Sequence, residues 1–184
     1  KKIKYIVLEN QPENLETIYD KDTPDKKNSK YIMNALKREN FQRNAISRAL
    51  TECSPDDLIL ISDADEIPNL EILEKIKFRK FAIFVQKEFI YKLNLLSDNK
   101  WNGSSICIKK YLKSPQWLRN IKDKKYSLFR LDIIFAKIKY NSIKFIKDGG
   151  WHFSNIKSPK EIEHKLKSYL HHREFDEEPL SLDQ

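Results

Sequence analysis

Residues 57 to 68 read Asp57-Leu-Ile-Leu-Ile-Ser62-Asp63-Ala64-Asp65-Glu66-Ile67-Pro68, an apolar run that passes directly into a cluster of acids. Four apolar residues closed by acids have the length and branching of a strand, and the unbroken apolar run predicts an interior strand buried on both faces. If the period of two continues past Ser62, Asp63 and Asp65 point the same way while Ala64 keeps the turn uncrowded. Two hard oxygen donors on one side suit Mg²⁺ or Mn²⁺, which can bridge nucleotide phosphates and neutralise a diphosphate leaving group. Acids that follow strands also cap helices or face water, so the D-x-D spacing alone does not separate these readings. Glu66 adds a third like charge, and such a cluster requires a cation or a basic side chain beside it.

Near the N-terminus, Ile3 to Leu8 has the β-branched density of a strand feeding a polar loop with Pro12 and Pro24. Lys30 to Cys53 lacks Gly and Pro and carries apolar residues near helical spacing, which predicts one long helix, or two broken near Asn40, stopped by Ser54-Pro55. Downstream, Asn69 caps a short helix to about Lys77. Phe81 to Leu93 reads as one long bent strand or two, Asn99 to Gly103 as a turn, Ser105 to Ile108 as a strand, and Ser114-Pro115 opens a helical turn. Tyr126 to Ile146 has no clean period. Ser158-Pro159-Lys160-Glu161 combines an N-cap, a first-turn proline and an early acid, predicting a helix from Pro159 to about His172. Strands alternating with helices indicate an α/β layer architecture, in which ligands collect beyond strand ends.

A second unusual segment is Gly149-Gly150-Trp151-His152-Phe153-Ser154. Paired glycines permit positive φ or close backbone approach, and His152 stands between large rings. It is either a hydrogen-bonded structural histidine, or a third metal ligand or phosphate contact joining Asp63 and Asp65. A shared cation site requires Asp65 and His152 to lie within about 10 Å. On the last helix Lys165, Ser168 and His172 share a face, with His171 and Glu174 nearby, and could grip phosphate or sugar hydroxyls or simply face water. Glu39, Gln42, Arg43 and Asn44 pose the same choice on the first long helix.

Composition removes several function classes. The chain has 184 residues, of which 40% are hydrophobic, enough for a sizeable core. Its three glycines cannot assemble a G-x-G-x-x-G or P-loop motif, which excludes phosphate cradles of those types. The formal charge of +8 sets 35 basic residues against 27 acidic ones, and the 35 are 28 Lys and 7 Arg, a bias that an A/T-rich genome produces and that differs from the Arg forks of nucleic-acid sites. Cys53 and Cys107 match no metal spacing and suit a reducing compartment. No apolar run approaches the ~18 to 20 residues of a membrane span. The chain starts at Lys1 and its only methionine is Met33, so a preceding segment is expected.

Taken in order, E-N-F-Q-R-N at 39 to 44, L-I-L-I-S-D-A-D-E-I-P at 58 to 68, W-N-G at 101 to 103, G-G-W-H-F-S at 149 to 154 and K-x-x-S with His and Glu at 165 to 174 resemble glycosyltransferase family 17. That family contains the β-1,4-mannosyl-glycoprotein 4-β-N-acetylglucosaminyltransferase and bacterial relatives, and the likeness spans roughly residues 30 to 175. It implies a GT-A-like fold, with a mixed central sheet flanked by helices, in one domain from 1 to 175 before an acidic tail at 176 to 184. It implies inverting transfer, with Mn²⁺ or Mg²⁺, from a UDP-sugar donor such as UDP-GlcNAc to a glycan acceptor. By motif, Asp63, Asp65 and His152 would be the metal site. Arg43, Asn44, Asp63, Trp101, Trp151, Lys165, Ser168, His171 and His172 would contact the donor. Inversion needs a base for the acceptor hydroxyl, and Glu66, Asp148 and Glu174 are the candidates. The implied setting is cytoplasmic, extending to peripheral association with the inner membrane surface, with no nucleic-acid partner.

Two departures from the family are visible. A further segment usually precedes the strand matching Ile3 to Leu8, and where the family's C-terminal spacing is close to K-x-x-S-x-x-H-x-E, here His171 is three after Ser168 but Glu174 is three after His171, so either His171 or His172 can be aligned. Two other classes compete with the enzyme reading. One is a non-catalytic GT-A-like remnant that binds glycan or a protein partner; the other is a basic nucleic-acid module, which leaves the acids at 63 to 66 unexplained.

Overall fold

The DLILIS run forms strand β1 (Leu58–Ile61), and its place in the sheet differs from the expected interior one. The sheet order is β1-β4-β3-β6-β2, with β2 (Glu66–Pro68), β3 (Phe81–Ile90), β4 (Leu96–Ile108) and β6 (Gly150–Ser154); β5 (Lys144–Ile146) also pairs with β3. β1 is thus an end strand. Ile59 and Ile61 are buried on one side, Leu58 is exposed, and Leu60 packs against the core on the other side. The computed structural model describes residues 3–124, 126 and 136–168.

The chain divides into two compact units, Lys1–Ala49 with Lys157–Gln184, and Leu50–Ile156. The second unit holds the sheet. β4 runs antiparallel to β1 and β3, β2 antiparallel to β6, while β5 and β6 run parallel to β3 at its two ends. The protein is therefore α/β with a mixed sheet. That sheet curls, because the Glu66 side chain on β2 reaches Trp101 and Ser104 on β4, three strands away in the order.

Alternation along β3 explains where the core ends and the polar site begins. Ala82, Phe84, Gln86 and Glu88 are spaced by two and share a face. Ala82 and Phe84 pack with Ile106 and Ile146 in the buried core, covered by Ile72, Leu73, Ile76 and Phe78. Each fully buried large side chain there contributes roughly 1.5 to 3 kcal/mol. Residues Leu70–Lys75 form the 3-10 turn that supplies part of this cover, with the Asn69 side chain accepting from Glu71 N as expected. Past Phe84 the same face turns polar with Gln86 and Glu88.

The register shifts between Ile83↔Ser105 and Val85↔Asn102, so β4 spends three residues against two on β3. This bulge switches the parity of β4 and puts Trp101 opposite Gln86, on the same face as Ser104 and Ile106. Residues 99 to 103, expected as a turn, are thus strand. Gly103 serves packing instead: a Cβ there would lie 1.9 Å from the buried Gln86 Oε1. The hairpin turns at 91 to 95, where Tyr91 adopts φ 65° and Leu95 N donates to the Lys92 carbonyl.

In the first unit, α1 (Pro24–Ala45) is unbroken at Asn40 and continues as a 3-10 turn, Ile46–Ala49. Thr23 caps it, and Pro24 supplies the first-turn φ. Buried Asn34 accepts from Glu16 N and donates to Glu16 O, so its amide substitutes for a strand partner. Lys30 bonds the Thr17 carbonyl and Asp22, holding the preceding loop. The strand expected at Ile3 to Leu8 is absent. Ile3, Tyr5 and Val7 are exposed, and these β-branched and aromatic residues find no sheet edge to pair with among the described residues. α3 (Pro159–Ser168) begins with the expected box, in which Ser158 Oγ accepts from Glu161 N and Glu161 Oε2 accepts from Ser158 N. Among the described residues no helix is long and apolar enough to cross a membrane.

Candidate functional site

β1 ends at Ile61, and the next residues leave the strand period. Glu66 N donates to the Asp63 carbonyl, closing a turn over Asp63-Ala64-Asp65-Glu66. The two aspartates therefore part company. Asp63 Oδ2 accepts from Arg119 Nη2 at 3.0 Å, whereas Asp65 Oδ2 lies 3.7 Å from His152 Nε2. The backbone explains the second approach, since Phe153 N donates to the Asp65 carbonyl and ties the turn to β6 beside His152.

Strand register builds the rest. Glu66 pairs with His152 across β2 and β6, and His152 pairs with Glu88 across β6 and β3. Carboxylate, imidazole and carboxylate thus stand in one cross-strand row. His152 is buried, its Nδ1 lies 3.5 Å from Glu88 Oε1, and that nitrogen has no hydrogen-bond partner among the described residues. The imidazole stacks on Trp101 with centroids 4.2 Å apart and planes 13° from parallel. Trp101 and His152 sit two strands apart, about 9.6 Å in a flat sheet, so the rings lean together over the curled face.

Glu66 is the most enclosed acid among the described residues of this site, with its side chain 1% exposed. Its Oε1 accepts from Trp101 Nε1 and Arg119 Nη2 at 2.9 and 2.8 Å. Its Oε2 accepts from Ser104 Oγ, Asp63 N and Arg119 Nη1. A carboxylate offers about four lone-pair positions, and here five donors occupy them. An acceptor hydroxyl could reach Glu66 only by displacing one of these donors.

Asp148 is exposed in the β5–β6 turn with φ 52°, and Gly150 follows at φ 118°, where a Cβ would lie 2.1 Å from the Ile67 carbonyl. Trp151 alternates away from His152 on β6 and is exposed. Arg43 and Asn44 stand on α1, where Arg43 pairs with Glu39 at 2.8 Å; Lys165 and Ser168 stand on α3. All four belong to the first unit. His171, His172 and Glu174 lie outside the described residues.

Two residues of the site escaped the motifs. Glu88 reads as a charged interruption in an apolar strand, although the i, i+2 spacing from Gln86 marks it as sharing that face. Arg119 ends α2 (Pro115–Arg119) and is 53 residues from its partner Glu66. Its one signal is composition, an arginine where this chain otherwise writes lysine four times in five.

Asp63, Asp65, Glu66 and Glu88 bring four carboxylates together with the Arg119 guanidinium, an acidic excess that draws cations. The 3.7 Å between Asp65 Oδ2 and His152 Nε2 is a span that two donors at ~2.0 to 2.2 Å can share around one ion. Among the described residues no three His, Cys, Asp or Glu side chains converge as a complete metal site. A cation here would keep waters and substrate oxygens in its remaining positions, as Mg²⁺ commonly does. Behind Arg119 lies a cavity of about 360 Å³. No family model, curated protein or solved structure matches the chain.

Proposed function

We propose that the chain is a metal-assisted glycosyltransferase that moves a sugar, N-acetylglucosamine by the resemblance, from a UDP-sugar to a glycan acceptor with inversion. The observation supporting it is the approach of Asp65 and His152, 87 positions apart in sequence, to 3.7 Å from two segments that the motifs had singled out. These two residues would hold Mn²⁺ or Mg²⁺, which when bound supplies Lewis-acid neutralisation of the diphosphate leaving group. The chain's own residues do the positioning. The Phe153 N–H fixes the Asp65 backbone, Trp101 holds the imidazole plane, and Glu66 anchors the turn between them. Trp101 is 38% exposed, and the part of its ring that meets solvent offers a platform for a base or sugar ring.

Calorimetric titration of the full-length protein with Mn²⁺ and UDP, followed by UDP release from UDP-GlcNAc, tests the reading. Binding of UDP that depends on Mn²⁺ and is lost in Asp65→Asn at unchanged melting temperature is the expected result. Absence of UDP binding with and without metal would overturn it and leave the glycan-binding remnant.

A further inference from the structure

The geometry points to Arg119 as the positioning residue of this site: its guanidinium locks Asp63 and Glu66 into the sheet, so that Asp65 is the acid of the turn delivered to His152. The inference rests on the preceding reading for what Asp65 does, and on geometry alone for how Asp65 is placed. Arg119 Nη2 donates to Glu66 Oε1 and Asp63 Oδ2, and Nη1 donates to Glu66 Oε2 and the Gly103 carbonyl. One side chain thereby ties the turn, β2 and β4 together. The Arg119 side chain is 12% exposed, against 38% for Asp63 and 46% for Asp65.

Three acids within four residues repel one another unless a cation intervenes. Arg119 supplies that cation from within the fold and chooses which acids it takes. Glu66 receives the planar fork at both oxygens, and the same Nη2 turns its second hydrogen to Asp63. An ammonium on a flexible stem is a point charge and cannot span acceptors on three segments at once. Asp65 is left to follow its backbone bond to β6. The expectation that both aspartates face one way fails for this reason: Arg119 claims the first.

Arg119 also lines the 360 Å³ cavity together with Asn102, Ser105, Asn120 and Lys122. Truncation at Arg119 therefore opens a space that a small planar cation can enter from solvent.

The test is a double-mutant cycle read on the His152 imidazole resonances of the full-length protein by NMR. In the wild type, Asp65→Asn shifts the His152 Nε2 signal. In Arg119→Gln, with far-ultraviolet circular dichroism retained, that signal is displaced and no longer responds to Asp65→Asn. Millimolar guanidinium added to Arg119→Ala restores the wild-type signal and its response, whereas urea at equal concentration does not. A wild-type His152 response in Arg119→Gln, or equal rescue by urea, would overturn the assignment. If the Gln and Ala variants fail to fold, Arg119→Lys is read in the same way: a displaced, unresponsive signal supports the positioning role, and an unchanged one refutes it. Where the wild type binds Mn²⁺, Arg119→Gln weakens that binding ~10- to 100-fold, the range for loss of an outer-shell partner. A wild type that binds no Mn²⁺ removes the functional proposal, while the resonance cycle still decides the role of Arg119.

Discussion

Replacing Glu66 by Gln removes one charge and almost no volume, which isolates the worth of the clamp. Whichever way the amide is turned, its NH₂ meets donors. At the Oε1 position it faces Trp101 Nε1 and Arg119 Nη2; at the Oε2 position it faces Asp63 N, Arg119 Nη1 and Ser104 Oγ, of which the hydroxyl alone can reverse. Either orientation leaves two donors facing a donor, at about 1 to 3 kcal/mol each. The total spans roughly 2 to 6 kcal/mol, and the cost of breaking a buried ion pair from one side, about 3 to 5 kcal/mol, falls within it. At about 4 °C per kcal/mol for a unit of this size, that narrower range lowers the melting temperature by roughly 12 to 20 °C. Tryptophan fluorescence is the suitable assay, because Trp101, Trp117 and Trp151 all belong to the Leu50–Ile156 unit and report its unfolding. Glu88→Gln is the control: Glu88 lies 3.5 Å from His152 Nδ1 without a hydrogen bond to it, so the amide leaves no donor newly unpaired there and costs about 1 kcal/mol or less. A Glu66→Gln shift no larger than that of Glu88→Gln would refute the clamp. Loss of transfer at unchanged stability would return Glu66 to the role of base.

Other outcomes follow from individual contacts. Gly150→Ala destabilises more than Gly103→Ala, by thermal melt, because the new Cβ meets the Ile67 carbonyl at φ 118° in the first case and a side-chain terminus, Gln86 Oε1, in the second. In the first unit, the Lys30 ammonium, and after it the Tyr19 N–H, hold the Asp22 carboxyl down at about 2. The folded value is below the unfolded ~3.9, so the stabilisation is complete above that value and is lost as pH falls through about 2. Acid titration followed at the α1 helix signal shows this loss, and Asp22→Asn removes it. Burial pushes the Cys107 thiol up to about 12, so iodoacetamide at neutral pH spares Cys107 in the folded protein and labels it after denaturation.

The elements legible in the sequence are those set by local chemistry. Ser158 and Glu161 announce α3, Pro115 announces α2, and the apolar density of Phe81 to Ile90 announces β3. The errors come from competition that no local window contains. Ile3 to Leu8 has strand chemistry, and no pairing edge meets it among the described residues. Asn99 to Gly103 has turn chemistry, yet it is strand because Gly103 yields its Cβ space to Gln86, 17 residues earlier. The bend falls instead at Tyr91, an aromatic residue at φ 65° that no turn rule favours. The site was half legible for the same reason. Asp65 and His152 stand out by motif, whereas Arg119 acts through contacts more than 50 residues away and carries no pattern of its own.

The row Glu66, His152 and Glu88 is held by ladder register on three strands, which makes the site intolerant of a change in chain length inside β6 while the 91 to 95 hairpin loop can absorb one. One residue inserted ahead of His152 and accommodated within β6 by a slip in register would turn that imidazole outward and bring an aromatic neighbour, Trp151 or Phe153, between the two carboxylates. Among natural variants of this chain, insertions and deletions should therefore cluster in the hairpin loop and avoid residues 149 to 154, even where individual side chains in that strand are exchanged freely.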